Sequence, residues 1–508
     1  MPAFGTTKIA VISPIHYNDL RIYRPFASRP RQRDQYISSA SSNRVGVGDA
    51  IILGLSSSAP SQSLAVSLAG LVAASGYGGV LPLLICFVPM LGIAIAYQRL
   101  NRWDQSSGAT YTWVANVFNP HLGFLSGWMI LLYYTLGTTT LTIPAGIYTL
   151  DLLAPTLLDN RFAVFAVGAA WNLLVTALAI LGLKIVARFE RVIVIFEYAV
   201  LLIVAAIGLW ALAQGRAAAV FSWDWFSWKG VGGMKGLMGG ILIACFMYSG
   251  WDAAIYVNEE TKDRVRSPGK AALASVVILA FVYSLTTAGF QGILPPAELQ
   301  AHAGNALSAI SSRLLHRPWN QLMGLAVLTG TLASLQAAVV SAARVGVAMS
   351  RDGVMPKVFL RKGRIADSPW AATLVMSALN LVLLALAMGT GSLATALANA
   401  ASSLGLISIV FYGLTAAAAL WHYRRSLNSS AVNLFLGGAL PAIGVLFALW
   451  VLIESIHSGA VTQVVMTYGL GSIGLGALVS VYLHRVGHVA FFDSSQRAAM
   501  EQARKGPP

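Results

Sequence analysis

The segment Tyr248-Ser249-Gly250-Trp251-Asp252 interrupts an otherwise apolar run from Leu237 to Val257. A Ser-Gly pair followed by a carboxylate loosens a helix. Lipid cannot hydrogen-bond loosened backbone, so such a break persists only where it lines a cavity or is buried in protein. Carbonyls freed around Tyr248 and Ser249 would accept from an ammonium group, and Gly250 would leave room for it. The rings of Phe246, Tyr248 and Trp251 could stack on it or make cation–π contacts. A second break follows Gly54-Leu55, at Ser56-Ser57-Ser58-Ala59-Pro60-Ser61-Gln62-Ser63. Pro60 removes a backbone donor and clashes with the preceding turn. Main-chain N–H groups of Ser57, Ser58 and Ala59, at the positive end of a half-helix, would suit a carboxylate. For each break alone, a kinked structural helix explains the residues as well.

Ionisable groups inside hydrocarbon are rare and tend to be functional. Glu197 lies between Ile195-Phe196 and Tyr198-Ala199. Burial penalises its charged form, which makes it a candidate for proton coupling. The other readings are a structural hydrogen bond or an ion pair with Arg188 or Arg191. Asp252 either titrates during a gating step or caps the loosened helix. Arg344 reads as a structural partner near the inner face. Asp49, Glu259 and Glu260 could pair with Arg44, Arg99 or Arg102 as an inner gate, or simply cap helix ends in solvent. Thr331, Ser334, Ser402 and Ser403 read as bonding their own helix backbone.

The elements that position these residues are membrane spans. The chain has 508 residues, of which 56% are hydrophobic and only 10% charged, against about 25% charged in a soluble domain. Apolar stretches of spanning length fall at 46–73, 78–98, 121–150, 161–182, 190–213, 237–258, 271–294, 320–348, 369–389, 391–420, 432–455 and 463–484. This predicts an all-α integral membrane protein with twelve transmembrane helices. Lys and Arg concentrate on alternate loops, which places both termini on the cytoplasmic side of the plasma (inner) membrane. The net charge of +15 is scattered over short loops facing anionic lipid headgroups, a pattern that excludes nucleic acid as a partner. Cys86 and Cys245 sit in apolar spans, so no disulfide framework is expected. Residues 1–44 form an Arg-rich cytoplasmic tail without the apolar core of a cleavable signal peptide.

Breaks in spans one and six are five helices apart. An odd repeat length puts the second copy upside down, with binding near the midplane between the two broken helices. The expected organisation is a five-plus-five inverted repeat over 45–420, two further helices over 421–485, and a C-terminal tail over 486–508. Asp104 to Val114 reads as a membrane-interface helix. Ser222-Trp223-Asp224-Trp225-Phe226-Ser227-Trp228 reads as part of an aromatic belt.

Several stretches resemble the amino acid–polyamine–organocation (APC) family of permeases. Phe246 to Asp252 is similar to the family's aromatic–x–aromatic–x–Gly–aromatic–acid break. Asn258-Glu259-Glu260-Thr261-Lys262-Asp263 through Ser267-Pro268 is similar to the loop after it, without the proline usual after Asp263. Gly108-Ala109-Thr110-Tyr111-Thr112-Trp113 with Phe124-Leu125-Ser126-Gly127-Trp128 matches a third signature, and Arg344 through Ser350-Arg351-Asp352-Gly353-Val354-Met355-Pro356 a fourth. The resemblance implies a LeuT-type fold, transport of amino acids or related amines, and an aromatic gate at Phe246. It also implies an ion-linked position in span five, where proton-coupled relatives carry a lysine and this chain carries Glu197. The first break departs from the family's G-[SA]-G form.

The chain lacks H-E-x-x-H, G-x-S-x-G and a paired intramembrane Asp, so the reading is not an enzyme, and no cofactor or metal is expected. No ATP-binding loop is present, which leaves an ion gradient or exchange as the driving force. The reading is a permease for a small-molecule substrate, an amino acid or amine, with protons as candidate coupling ion. A non-transporting nutrient sensor on the same fold is the alternative.

Overall fold

The computed structural model describes residues 46–181, 183–361, 363, 368–388, 393–459 and 461–493. The Arg-rich tail, residues 494–508 and the side chain of Arg188 lie outside them. Every regular element among the described residues is helical.

The first apolar stretch forms α1 (Val47–Ser58) and α2 (Pro60–Ser75), separated by Ala59. Then come α3 (Val80–Trp103), α4 (Thr110–Val117), α5 (Pro120–Leu153), α6 (Arg161–Leu181) and α7 (Leu183–Ala213). The second broken stretch is α8 (Gly233–Met247) and the short α9 (Ala253–Tyr256). It leads into α10 (Ser267–Phe290), two short helices α11 (Pro296–Ala301) and α12 (Ala306–Leu314), and α13 (Gln321–Arg351). The chain continues through α14 (Trp370–Met388) and α15 (Leu393–Tyr423). The last two spans are α16 (Ala431–Leu434) with α17 (Leu440–His457), and α18 (Gln463–Met466) with α19 (Ser472–Arg485). Each joins its two pieces through one π-helical turn.

Eleven of the described helices are long and apolar enough to cross a membrane, counting α1 and α2 as one. The chain is therefore a multi-pass integral membrane protein. The predicted sixth span is the exception: α8 has 15 residues before the backbone opens. Burial separates core from rim. The apolar windows of α1–α2 and of α13 are 83% covered by protein, and that of the last helix 22%. The helices that carry both breaks and their neighbours thus form the centre, and α6, α7, α14, α17 and α19 face lipid.

Helices in lipid are not held by a water-driven hydrophobic effect, so small residues and interhelical hydrogen bonds do the work. Asn380 on α14 shows this. Its Nδ2 donates to Thr142 Oγ1 at 3.0 Å and to Asn172 Oδ1 at 2.8 Å, and its Oδ1 accepts from Thr139 at 3.0 Å. One side chain thereby ties α14 to α5 and α6.

The segment 104–114 differs from its expected interfacial placement. Only 110–117 is helical, and Thr110, Tyr111, Trp113 and Val114 are buried. Its aromatic residues signal packing between α5 and α15 rather than an interface. Tyr111 also donates to Asp352 at 2.8 Å, and Gly127 sits where a Cβ would meet Met349 and Tyr111 at 2.9 Å. Two of the recognised signatures therefore lock into one another. Of the 222–228 tryptophans, Trp223 is exposed and Trp225 buried.

Candidate functional site: two broken helices around a small cavity

Ala59 turns the chain through a left-handed conformation, φ 34°, ψ 75°. A non-glycine residue there is strained by roughly 1–2 kcal/mol. The strain is offset by its N–H, which reaches the Leu55 and Ser56 carbonyls at 3.1 and 3.2 Å. Pro60 then opens α2 at the position where its missing N–H costs nothing. The carbonyls left over at the end of α1 are taken by side chains from other elements. Ser334 on α13 donates to the Ser57 carbonyl at 2.9 Å, and Tyr283 on α10 to the Ser58 carbonyl at 3.2 Å. Ser63 also donates to the Ser58 carbonyl, at 2.8 Å.

In the second break Ser249 donates back to the Cys245 carbonyl at 2.6 Å, and Gly250 takes φ +102°. The two breaks touch. A Cβ on Gly250 would lie 2.9 Å from the Ser57 carbonyl oxygen and 3.2 Å from Ser58 Cα. Only glycine permits both the conformation and the approach.

Beside this contact is a cavity of about 30 Å³. Of the predicted substrate residues, Ser57, Ser58, Phe246, Ser249 and Gly250 line it. Ala59 and Tyr248 are absent from its wall. The Tyr248 ring turns to Tyr283 at 5.8 Å, edge to face. Sequence reasoning missed Tyr133, Tyr134 and Thr140, which with Gln62 and Ser63 of the first break and with Ser334 complete much of the lining. A volume of this order accommodates one or two waters, whereas drug-sized ligands need several hundred Å³. The breaks are drawn together around the site. Admitting a substrate requires them to separate.

Asp252 and Glu197 are both fully buried. Asp252 stands behind the cavity wall at the start of α9, and its side chain makes no capping hydrogen bond there, which corrects the capping alternative. Instead its carboxylate accepts from three phenols: Tyr412 at 2.9 Å, Tyr256 at 2.9 Å and Tyr134 at 3.4 Å. Tyr134 also lines the cavity. Tyr412 in turn accepts from the Gly250 N–H at 3.4 Å. The carboxylate is thus wired to the second break and to the cavity wall. Trp251 is also buried behind that wall, stacked on Tyr412 at 5.2 Å and edge-on to Tyr97 at 5.1 Å.

Of the alternatives for Glu197, the ion pair with Arg191 is not formed and the hydrogen bond is. Its Oε1 accepts from the Ser61 N–H at 3.0 Å and Ser61 Oγ at 2.7 Å, at the amino end of α2. A half-helix amino terminus favours an anion. Its Oε2 is buried without a partner, and the carboxyl group lies flat against Gly330 of α13. Glu197 therefore joins α7 to both α2 and α13.

At the end of the bundle where α1 begins, carboxylates and arginines do pair, with different partners from those expected. Asp49 pairs with Arg191, not with Arg99 or Arg102. Glu260 takes Arg344, through Nε at 2.9 Å and Nη2 at 2.7 Å, so it is not simply a solvated cap. Glu259 lies 3.5 Å from Arg351 and accepts the Ser107 N–H at 3.0 Å. These pairs fasten α1, the loop after α9, and α13 at one end. Thr331 and Ser403 bond their own helices as expected, and Ser334 instead crosses to the first break.

Two discontinuous helices facing each other across a small polar cavity, inside a multi-helix membrane bundle, define a transport protein of the secondary-carrier class. The sequence profile described as amino acid permease matches residues 47–478, and the chain belongs to that family. Its members are carriers rather than enzymes. The chain is 27% identical over 372 residues to the low-affinity putrescine importer PlaP of Escherichia coli K12, covering 72% of this chain and 79% of that one. It is 25% identical to the methylthioribose transporter of Bacillus subtilis 168, over 60% and 67% of the two chains. It is 23% identical to the human large neutral amino acids transporter small subunit 2, over 73% and 68%.

Proposed function

We propose that the protein moves an amino acid or related amine by alternating access, with the substrate held between the two breaks. The observation that carries this is their direct contact at Gly250 and Ser57 beside a polar cavity. In this reading Ser57, Ser58, Ala59, Tyr248, Ser249 and Gly250 form the substrate site once the breaks part. Phe246 is the aromatic gate, Trp251 and Asp252 transmit closure, and Glu197 exchanges the coupling proton. The cavity wall carries hydroxyls, an amide and aromatic faces but no charged side chain. That favours a substrate with one ammonium group over a diamine, whose second charge would find only the tyrosine-screened Asp252. The architecture proposed is twelve spans, ten of them in a five-plus-five inverted repeat, with both termini on the cytoplasmic side of the plasma membrane. Paired breaks and arginine-rich loops support it.

Reconstitution into proteoliposomes tests the function. Saturable uptake of a neutral amino acid, driven by an inward proton gradient, is expected. Binding without uptake would make the chain a sensor. Putrescine uptake exceeding that of every amino acid would reverse the substrate assignment.

A further inference from the structure

The ends of α3 and α15 meet the start of α16 in a cluster of cations. Three other arginines on this arginine-rich face find acidic partners: Arg191 with Asp49, Arg344 with Glu260, Arg351 with Glu259. Arg99 does not. Its Nη2 donates to Asn433 Oδ1 at 2.6 Å, and its guanidinium lies over the Tyr423 ring at 5.2 Å. Its Nη1 is buried without a partner and is pressed against Gly437, where no Cβ would fit. Tyr423 closes the loop by donating to the Arg99 carbonyl at 2.9 Å. The guanidinium is therefore fixed in place, in a side chain that stays partly exposed. Arg102 is close enough that its charge acts on both Arg99 and Tyr423. Arg424 sits over the Trp421 ring at 4.3 Å and acts on His422, which packs on Trp103 at 4.1 Å. The negative end of α3 accounts for one of these cations. It does not account for Arg99 and Arg424 both resting on neutral side chains, with the charge of Arg102 close to the first.

The flank beside them is apolar and open. Phe435 is 57% exposed and Trp421 53%, and both lie at the lipid-facing rim. A rigid guanidinium with further arginines near it, an interfacial tryptophan and an apolar wall below suit a phosphate diester with acyl chains. We propose that Arg99, Arg102 and Arg424 bind the headgroup of an anionic phospholipid of the inner leaflet, with its chains along α16 and α17. Basic pockets between helices at this depth recognise such lipids, at about a fivefold gain in affinity per arginine. The lipid would bridge the carrier core to the two C-terminal spans.

The full chain in neutral detergent is titrated with phosphatidylglycerol, phosphatidylcholine or inorganic phosphate. Retained lipid is counted by native mass spectrometry, and thermal unfolding is followed in parallel. Phosphatidylglycerol should be retained and raise the unfolding temperature, and the other two should not. Arg102→Gln and Arg424→Gln, both exposed and expected to fold, should each weaken retention about fivefold. Arg99→Gln should weaken it further, and Lys357→Gln on the same face should not change it. Equal retention of phosphatidylcholine, equal protection by inorganic phosphate, or an effect of Lys357→Gln as large as that of Arg102→Gln would each overturn the site.

Discussion

Gly250→Ala is the sharpest probe of the contact between the two breaks. The added Cβ would lie 2.9 Å from the Ser57 carbonyl oxygen, 3.0 Å from its carbon and 3.2 Å from Ser58 Cα. All three are backbone atoms, so no side chain can swing aside. Ordinary contact needs a retreat of about 0.5 Å, which would stretch the 2.9 Å bond from Ser334 to the Ser57 carbonyl to the edge of hydrogen bonding. Overpacking of this kind costs about 1–3 kcal/mol. Holding alanine at φ +102° adds about 1–3 kcal/mol. Together the state with the breaks in contact loses roughly 2–6 kcal/mol. At 1.4 kcal/mol per factor of ten, its population falls at least about 30-fold. A state with the breaks apart does not incur the clash, so the chain should still purify as a monodisperse species. Uptake into proteoliposomes should fall at least about tenfold. Uptake within twofold of wild type, with an unchanged unfolding temperature, would mean that transport never requires this contact.

Four further outcomes follow from the same geometry. Glu197→Gln should abolish accumulation driven by a proton gradient while substrate exchange persists; unchanged dependence on the gradient would remove Glu197 from coupling. Phe246→Ala should weaken substrate binding, measured by scintillation proximity. Trp251→Ala should instead lower the unfolding temperature, since emptying a fully buried stack costs about 3–5 kcal/mol. Tyr412→Phe removes the donor to Asp252 and the acceptor of the Gly250 N–H, and should cost about 1–3 kcal/mol in stability and slow transport. A silent variant would show the phenol cluster to be packing alone.

The apolar runs made the helices readable because hydrophobic length is their only requirement. Both breaks were readable because Pro60 and Ser249-Gly250 are chemically out of place in lipid. Individual partners were not. Tyr133, Tyr134, Tyr283 and Tyr412 look like packing aromatics in a one-dimensional sequence, and only helix rotation turns their hydroxyls inward. Arg191 was one alternative partner for Glu197, six residues away, although the two lie about 120° apart on a helix that advances 100° per residue; Asp49 claims it instead. Ala59 has the left-handed turn that glycine takes freely, so the departure from the family pattern at this point changes the strain and keeps the turn.

The two buried carboxylates are served in different ways, and the difference bears on coupling. Asp252 has both oxygens bonded, by phenols from three helices that pack tightly around it. Glu197 has one oxygen bonded, and both of its donors belong to Ser61. That residue is the second of α2, and the next two, Gln62 and Ser63, line the cavity. Any shift of α2 that widens the cavity for a substrate therefore moves the donors of Glu197 by the same distance. Substrate and proton would be linked through one half-helix, without a path of intervening side chains. Such linkage is reciprocal: a proton that alters substrate affinity implies a substrate that alters proton affinity by the same factor. Substrate affinity measured from pH 5 to 8 should vary in the wild type and be flat in Glu197→Gln. Parallel curves for the two proteins would break the link between α2 and coupling.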